Sequence, residues 1–582
     1  MTTNSLELLT QLEAQKAQFG SATGRRIVRL LSKLERVTFD DVDSLIRFHE
    51  ALLFLRAHPH NRDVLRATDR VLRTFGRRVD AILTSGQDVT ALDYIEYSGI
   101  SHTTITGHFS YDIVRWLVSR FPGSVDIAWE RHERRDRLGS TLPRFLPLLE
   151  EDAFVEANIP YLDWIRSARP RDKSDLEWLI GNLSELNHSE REKAELYDSL
   201  ELWVRWQLGD SHASRTRNIQ PVSRPFYHEG PLIQRREVSL QKELAQPLRF
   251  QRLSAGEGLK IIDMLRMTTT VRYRELYGIT HGDSKNVIRT DVGRGVEIFL
   301  WGLPRERRLP LRAYHLGFTL KNGVPINYIE GITLCGKMEV GFNTFYTFRD
   351  GESAWVYAQV LRVLRHAVGA ECFSIDPYQL GFNNEEAIES GAFWFYRKLG
   401  FRPTRPELAA LMEREERKIA GVPAYRTRAS TLRKLSTGNV VYEVDPARRG
   451  EWDRFQVRNL GLAVQRRMAR EFDGDAARLR DASVSEVART LNVGLRDFNV
   501  MERQAFENLA LVFALIRNLR RWSDEEKRGL IDIVRAKASV DESRYSRLFQ
   551  EHARLRKEIV KLGSPSRAEP RDLSLRINRS SH

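Results

Sequence analysis

The spacing of apolar residues predicts helices toward both ends of the chain. In DDVDSLIRFHEALLFLRAH (40–58), apolar residues recur at helical spacing from Val42 to Leu53, and Asp40 or Asp41 is a suitable N-cap. His49 falls on the apolar face of this helix, so we expect a packed core histidine. The pairs Ser189–Glu192 and Ser523–Glu526 have the spacing of capping boxes, and we expect the first helix to run from Ser189 to Leu208.

The middle of the chain alternates between strand-like and helical patterns. The apolar run GVEIFLWGL (295–303) predicts a buried strand. Asn322-Gly323 separates LRAYHLGFTLK from VPINYIEGITL and predicts a β-hairpin with a type I′ turn, because both turn residues tolerate positive φ. A strand over 337–348, a helix over 350–369 and a strand from residue 371 follow. An aromatic helix and a last strand, which Pro403 ends, complete the series.

These patterns predict five segments. We expect a helical domain over 1–210 and a linker or surface loop over 211–235, where Ser, Arg, Pro and His are frequent and periodicity is absent. A central α/β domain is expected over 236–425 and a second helical domain over 426–563. Residues 564–582 have the composition of a disordered tail.

Composition narrows the classes of protein and partner. Lys and Arg exceed Asp and Glu by 92 − 78 = 14 in 582 residues, which favours anionic partners such as nucleic acid, acidic lipid or a nucleotide cofactor. Arginines scattered over solvated helix faces explain the same excess. Cys335 and Cys372 are the two cysteines, so neither a disulfide framework nor a cysteine metal site is expected. No signal peptide or membrane span is recognisable, and we expect a soluble cytoplasmic protein.

A weak helix-turn-helix pattern keeps nucleic-acid binding open as one alternative. SVSEVARTLNVG (483–494) is typical of a first helix and turn, but LRDFNVMERQAF, which follows, carries acidic residues and only two arginines. A recognition helix normally presents Arg, Lys, Asn or Gln to the DNA. A helical hairpin within a bundle is the interpretation that this charge pattern favours.

The aromatic helix and the strand after it carry the most specific motif of the chain. Glu389, Ala392, Phe395, Tyr396, Leu399, Gly400 and Phe401 fall on the slots of Asn-x-x-Ala-x-x-Leu-Tyr-x-x-Leu-Gly-Phe. With the order of elements over about 295–405, this motif resembles the GNAT superfamily of acyl-CoA-dependent N-acyltransferases. The resemblance covers roughly a fifth of the chain. It implies a central α/β (α+β) domain with a mixed sheet and helical regions on either side.

The resemblance also implies a cofactor loop between the fourth strand and the next helix, where backbone N–H groups hold the pyrophosphate. Aligning the family pattern Gln/Arg-x-x-Gly-x-Gly/Ala on Gly351 puts Phe348 in the basic slot and Ser353 in the second small slot. Aligning it on Arg349 places Ala354 last, but Glu352 then replaces a glycine. Asp350 and Glu352 would repel a pyrophosphate, so an ordinary strand-to-helix loop stays open as an alternative.

Candidate catalytic residues follow from the same resemblance and from the hairpin. Tyr396 occupies the position of the family's general acid, which protonates the leaving thiolate. Asn384, just upstream, is a substitute for the missing asparagine. If facing hairpin residues sum to 645, His315 pairs with Glu330, and such a pair suits deprotonation of an amine. A surface pair without a catalytic role is the alternative. Glu339 is a second candidate base.

The function that these features imply is N-acyl transfer from acetyl-CoA or another acyl-CoA to an amine, without a metal and without a membrane. The acceptor, the acyl chain length and the oligomeric state stay open. A catalytically inactive GNAT-like scaffold or sensor is one alternative, which the acidic residues of the cofactor loop favour. A protein that binds nucleic acid through its basic helical regions is the other.

Overall fold

The computed structural model describes residues 3–147 and 160–564. Among these residues the chain is a mixed α/β protein with a mixed central sheet. The predicted tail over 564–582 lies outside the described residues from 565 onward. No helix of the described part is long and apolar enough to cross a membrane.

The N-terminal region is mainly helical. Its helices are α1 (Thr3–Gln15), α2 (Ser21–Leu34), α3 (Val42–Ala57), α4 (Arg62–Arg73), α5 (Gly76–Leu83), α6 (Tyr111–Arg120), α7 (Tyr161–Ala168), α8 (Asp175–Glu185) and α9 (Glu190–Ser199). Asp41 caps α3 by accepting a hydrogen bond from Ser44 N, as its sequence predicts. His49 is fully buried, with its ring nitrogens 3.2 Å from Glu50 Oε1 and 2.9 Å from Thr216 Oγ1. The prediction of a packed core histidine is confirmed.

A small antiparallel sheet also lies in this region, and the sequence pattern did not predict it. It consists of β1 (Thr104–Gly107), β2 (Val125–Ile127) and β3 (Val204–Gln207), in the order β1-β3-β2. The predicted helix from Ser189 to Leu208 is therefore wrong in its second half. In β3, Val204 and Trp206 are buried and alternate with more exposed residues, which is the period of a strand.

The segment after β3 forms no helix or strand until residue 235, as predicted, but its first part is buried and only its later part lies at the surface. Ala213, Ser214, Arg215 and Thr216 are buried. The Arg215 guanidinium lies 2.8 Å from both carboxylate oxygens of Glu50. Polar composition without periodicity was misleading here, because these polar groups find partners inside the protein.

The central region supplies a nine-stranded sheet to the described structure. Its strands are β4 (Gln251–Arg252), β5 (Ile288–Asp291), β6 (Val296–Gly302), β7 (Ala313–Lys321), β8 (Val324–Leu334), β9 (Lys337–Thr344), β10 (Cys372–Ile375), β11 (Arg402–Pro403) and β12 (Val440–Glu443). The order is β11-β12-β10-β9-β8-β7-β6-β5-β4, with β9 and β10 parallel and the other neighbours antiparallel. The predicted strand at 295–303 is confirmed as β6. β12 lies beyond the boundary predicted at residue 425.

Helices cover this sheet and continue past it. The central ones are α10 (Leu240–Ala245), α11 (Ala255–Thr270), α12 (Tyr277–Thr280), α13 (Ser353–Val368), α14 (Pro377–Leu380), α15 (Glu385–Glu389), α16 (Ala392–Lys398), α17 (Pro406–Gly421) and α18 (Ala429–Leu435). The C-terminal ones are α19 (Val457–Phe472), α20 (Ala476–Leu491), α21 (Val500–Phe513), α22 (Asp524–Lys537), α23 (Glu542–Glu551) and α24 (Ala553–Gly563). α20 and α21 form the helical hairpin that the charge pattern favoured.

Two hydrophobic cores hold these elements together. One runs without interruption from Leu9 in α1 to Val440 in β12, so the N-terminal helices and the central sheet share it. The other joins the C-terminal helices to the sheet through buried residues such as Ala313, Leu334 and Val441. Amphipathic helices therefore bury their apolar faces against the central sheet and against each other.

Candidate active site

The two parallel strands of the central sheet separate after a short paired stretch. Cys372, Phe373 and Ser374 of β10 pair with Lys337, Met338 and Glu339 of β9. β10 then ends at Ile375, while β9 continues to Thr344. Asp376 caps α14 and Pro377 begins it, so the chain turns away from the sheet at this point. The edge of β9 beyond Glu339 is left without a neighbouring strand.

The side chain of Gln379 lies on that edge. Its Oε1 accepts a hydrogen bond from Phe342 N at 3.1 Å, and its Nε2 donates one to Val340 O at 2.9 Å. One carboxamide thus makes the two hydrogen bonds that a residue of another strand would make. The edge between the separating strands is thus occupied by an amide group of the protein itself.

Tyr396 of α16 reaches the same carboxamide. Its hydroxyl lies 3.5 Å from Gln379 Oε1, and its ring packs edge-on against Tyr357 and Phe401. Burial raises the pKa of Tyr396, so the phenol keeps its proton at neutral pH. The predicted general acid is therefore a protonated hydroxyl beside the separation of β9 and β10.

The N-terminus of α13 is close in sequence to the same edge and is uncapped. No side chain caps the helix, and the first intrahelical bond is donated by Val356 N to Glu352 O. Within the described residues no group accepts from the backbone N–H groups of Ser353, Ala354 and Trp355. Free amides together with the helix dipole form a site that suits an anion.

The acidic residue Glu352 does not face this helix terminus as a free charge. Its carboxylate pairs with Arg294 and with Lys321, whose Nζ lies 3.2 Å away, and it accepts from Ile233 N at 3.1 Å. Burial alone would raise the pKa of Glu352, but the two cations lower it overall. The carboxylate is thus neutralised inside the protein, which removes the repulsion expected from it. Asp350 is exposed.

The predicted cofactor residues do not all gather at the helix terminus. Gly351 lies in the loop just before the helix terminus, where space is tight. A Cβ at this position would lie 3.0 Å from Phe348 O and 3.2 Å from His58 Nε2. Phe348 is buried in the core, so it offers no contact to an anion. Arg349 pairs with Glu386 and remains partly exposed beside the loop.

Asn384 has a structural role. Its Oδ1 caps α15 by accepting from Ala387 N at 3.2 Å, and its Nδ2 donates to Tyr378 O at 3.1 Å. Both ends of the side chain are used within the protein. We therefore assign Asn384 to the loop that shapes the site and not to a ligand contact.

The predicted pair of His315 and Glu330 is wrong. The register shifts at Thr319, so that His315 faces Gly331 and Glu330 faces Leu316. The shift is a β-bulge: one extra residue in β8 changes the sum of facing numbers from 645 to 646 and moves the two side chains to opposite faces of the sheet. His315 Nε2 lies 3.2 Å from Ser543 Oγ, while Glu330 accepts a hydrogen bond from the Tyr314 hydroxyl.

Glu330 and Glu339 share one face of the sheet next to the separation. Glu330 lies opposite Gly341, and Glu339 belongs to the last pair of β9 with β10. Glu339 is partly exposed and pairs with Arg312 at 2.9 Å. Phe342 points to the other face, where its ring lies 4.8 Å from that of Tyr357. The carboxylates and the aromatic cluster of Tyr396 therefore flank the separation from opposite faces.

Sequence patterns missed the contributions of Gln379, Lys321 and Arg294. Bonds from a side chain to a strand edge, or between residues 321 and 352, leave no periodic signal. The sequence offered one hint at Gln379, because Asp376-Pro377 directly after a strand predicts a sharp change of direction. No group of three or more His, Cys, Asp or Glu side chains in the described part of the chain could hold a metal ion.

Comparison of the chain with protein-family models, with curated proteins and with solved structures finds no match.

Proposed function

We propose that the chain transfers an acyl group from an acyl-CoA to an amine. The observation that carries this proposal is the separation of the parallel strands β9 and β10 around an amide-binding edge, with Tyr396 beside it. The GNAT resemblance of the motif at 389–401 supports the same function. The strand order β6 to β10, with α13 between β9 and β10, agrees with it.

The chemistry of an acyl-CoA suits the groups that are present. Its pantetheine arm carries two amides, and its nucleotide end carries a pyrophosphate. Val340 O and Phe342 N–H bind an arm amide in place of the Gln379 carboxamide, and the N–H groups of Ser353 and Ala354 bind the pyrophosphate. Because Lys321 and Arg294 neutralise Glu352, the helix terminus keeps its affinity for anions.

The reaction needs a base and an acid on the two sides of the separation. The amine nitrogen attacks the thioester carbonyl, the C–S bond breaks, and the nitrogen loses a proton to Glu330 or Glu339. Tyr396 donates its proton to the leaving thiolate, since its buried hydroxyl is protonated at neutral pH. The carboxylates and the hydroxyl act from opposite faces, so the acceptor and the thiol do not compete for one space.

A catalytically inactive scaffold or sensor is the second candidate. The observation that favours it is the Gln379 carboxamide itself, because it already satisfies Val340 O and Phe342 N. In this alternative Gln379 closes the edge permanently and the chain binds no acyl-CoA.

Titration calorimetry with acetyl-CoA and longer acyl-CoAs, followed by an assay of thiol release, tests the proposal. We expect saturable binding, and we expect Tyr396→Phe to bind normally but to release thiol about 10²- to 10⁴-fold more slowly. Tyr357→Phe is the matched control, since the Tyr357 hydroxyl lies in the same aromatic cluster and has no hydrogen-bond partner among the residues that the structure describes. Absence of binding at millimolar acyl-CoA would reject the enzyme and leave the scaffold.

A further inference from the structure

A cavity of about 180 Å³ lies between the central sheet and the C-terminal helices, away from the candidate active site. Leu300, Trp301 and His315 line it from the sheet, and the N-terminal turn of α23 lines it from the other side. Ala367, near the C-terminus of α13, forms part of its wall. The 16 residues of α13 span about 24 Å, so the cavity and the uncapped end of α13 lie far apart.

Two buried polar atoms beside this cavity have no hydrogen-bond partner among the described residues. His315 is 2% exposed, and while its Nε2 lies 3.2 Å from Ser543 Oγ, its Nδ1 has no hydrogen-bond partner. Glu542 is 3% exposed; its Oε1 pairs with Lys537, and its Oε2 is unpartnered. Arg308 Nε lies 3.9 Å from that oxygen, which is beyond hydrogen-bond distance. Unpartnered buried polar atoms are rare in folded proteins, and they indicate a ligand that supplies hydrogen-bond donors.

The cationic side of the cavity is provided by Arg547. Its Nη1 donates a hydrogen bond to Ala367 O. Its other guanidinium nitrogens have no hydrogen-bond acceptor among the described residues. Arg308 differs, because it donates to the carbonyl groups of Leu303, Lys537, Ser539 and Val540. Arg252 also lines the cavity, but it donates to Asn286 and pairs with Asp541 at 3.6 Å. Arg547 has no ion-pair partner among the described residues, so its free donors are available for an anionic group.

The remaining wall is partly apolar and partly charged, because Arg252, Asp283, Asp541 and His366 also line it. Its apolar part comes from Leu300 and Ile288 of the sheet and from Val540, which lies at the rim with 54% of its surface exposed. The cavity thus combines an acidic oxygen, a guanidinium and an apolar surface in a volume suited to a small molecule. A ligand that complements all three has a positive group, a negative group and an apolar side chain.

We propose that this cavity binds a free α-amino acid with an apolar side chain. The ammonium group donates to Glu542 Oε2 and to His315 Nδ1, the carboxylate accepts from Arg547, and the side chain packs on Leu300 and Ile288. The site is independent of the acyl-transfer proposal, because none of these residues lies at the separation of β9 and β10.

Titration calorimetry on the full-length protein tests this assignment with four probes: L-leucine, L-phenylalanine, 3-methylbutylamine and 4-methylpentanoate. We expect one saturable site for at least one of the two amino acids. We expect at least tenfold weaker binding of the amine and of the acid, because each lacks one of the two charged groups. Equal binding of the amine would indicate a cation site, and equal binding of the acid an anion site; either result overturns the proposal, as does absence of binding.

Two variants locate the binding. Arg547→Met removes the proposed carboxylate contact, and we expect at least a tenfold loss of amino-acid affinity. Arg544→Met, on the exposed side of the same helix, is the matched control and should leave the affinity unchanged. Val540→Trp fills the rim of the cavity without changing the core, and we expect it to weaken amino-acid binding as well. This variant tests the site independently if Arg547→Met folds poorly. Unchanged binding in Val540→Trp would show that the amino acid binds elsewhere.

Discussion

Three buried histidines lie behind the loop that leads into α13. His60 and His228 pack against Phe19, and the ring centroids of His58 and His228 are 5.3 Å apart. Burial, followed by nearby positive charge such as that of Lys321, lowers the pKa of His228 to about 3. Burial also lowers the pKa of His58 and of His60. All three rings are therefore neutral in the folded protein at neutral pH.

We expect the free energy of unfolding to fall as the pH decreases from about 6.5 toward 3. Between these pH values His228 is protonated in the unfolded chain but neutral in the folded protein. Protons therefore bind preferentially to the unfolded state, and acid favours unfolding. His228→Phe should flatten this dependence. It should also raise the stability by about 1–3 kcal/mol, because both ring nitrogens of His228 are buried without a hydrogen-bond partner in the described part of the chain. Urea denaturation at several pH values measures both effects.

His188→Phe is the control, since His188 is exposed. It should leave the slope of stability against pH unchanged. A slope in His228→Phe equal to that of the unmodified protein would show that other groups cause the acid sensitivity.

Sequence patterns predicted the burial of single residues better than their partners. The apolar face of α3 placed His49 in the core, and the structure confirms it. Its partner Thr216 is 167 residues away, and no periodicity connects the two. Tyr396 was found by its motif, whereas Gln379 carries no motif and was found only through its contacts.

At the scale of elements, the turn between β7 and β8 was predicted correctly, but the register of the two strands was not. Asn322 and Gly323 have φ of 48° and 80°, as a type I′ turn requires. The bulge past Pro325 then moves His315 and Glu330 to opposite faces of the sheet. A turn depends on two residues, but a bulge depends on how both strands fit their neighbours.

We expect Gly323→Ala to destabilise the protein more than Gly86→Ala. Both glycines have similar positive φ, so an added Cβ costs both variants about 1 kcal/mol of backbone strain. At Gly323 the Cβ would also lie 1.9 Å from Gln220 O, whereas nothing lies within 4 Å at Gly86. The additional loss should be about 1–3 kcal/mol in chemical denaturation. Equal losses would mean that the turn moves freely away from residue 220.

Gln379 decides whether the edge of β9 is open to a ligand. Gln379→Ala frees Val340 O and Phe342 N, so the affinity for acetyl-CoA should rise about tenfold, which corresponds to roughly one net hydrogen bond. In Gln379→Glu a carboxylate still accepts from Phe342 N but cannot donate to Val340 O, and we expect an intermediate affinity. Calorimetry measures both. Weaker binding in Gln379→Ala would show that Gln379 orders the site instead of competing for it.

At the scale of the whole molecule, one buried ion pair connects three distant parts of the chain. Arg215 lies 2.8 Å from Glu50 of α3 and 3.1 Å from Thr347 Oγ1, just before the loop of α13. Thr347 donates to the same carboxylate. The N-terminal helices, the segment after β3 and the candidate site are thus held in one arrangement, within the core that they share.

Glu50→Gln should lower the free energy of unfolding by about 3–5 kcal/mol at neutral pH, because Arg215 would remain buried without its counter-charge. Burial raises the pKa of Glu50, but Arg215 and His49 outweigh it and lower the pKa to about 2. The stability from Glu50 is therefore present above about pH 4.5 and is lost as the pH falls toward 2. The variant should lack this loss when unfolding is measured across that range.

Glu13→Gln is the control at this scale. Glu13 pairs with Arg47 at a partly exposed position, and such pairs contribute about 0–1 kcal/mol. A loss in Glu50→Gln no larger than in Glu13→Gln would contradict a connecting role of the buried pair.

The sequence by itself determined the local elements of this protein: the capped helices, the Asn322-Gly323 turn, the buried strand β6 and the aromatic motif around Tyr396. Each depends on residues within one turn or one strand. Only the tertiary structure decided the register beyond the bulge, the positions of Gln379 and Glu352, and the cavity beside His315. These depend on contacts between residues far apart in the chain, where packing and the pairing of buried polar groups, not local periodicity, set the outcome.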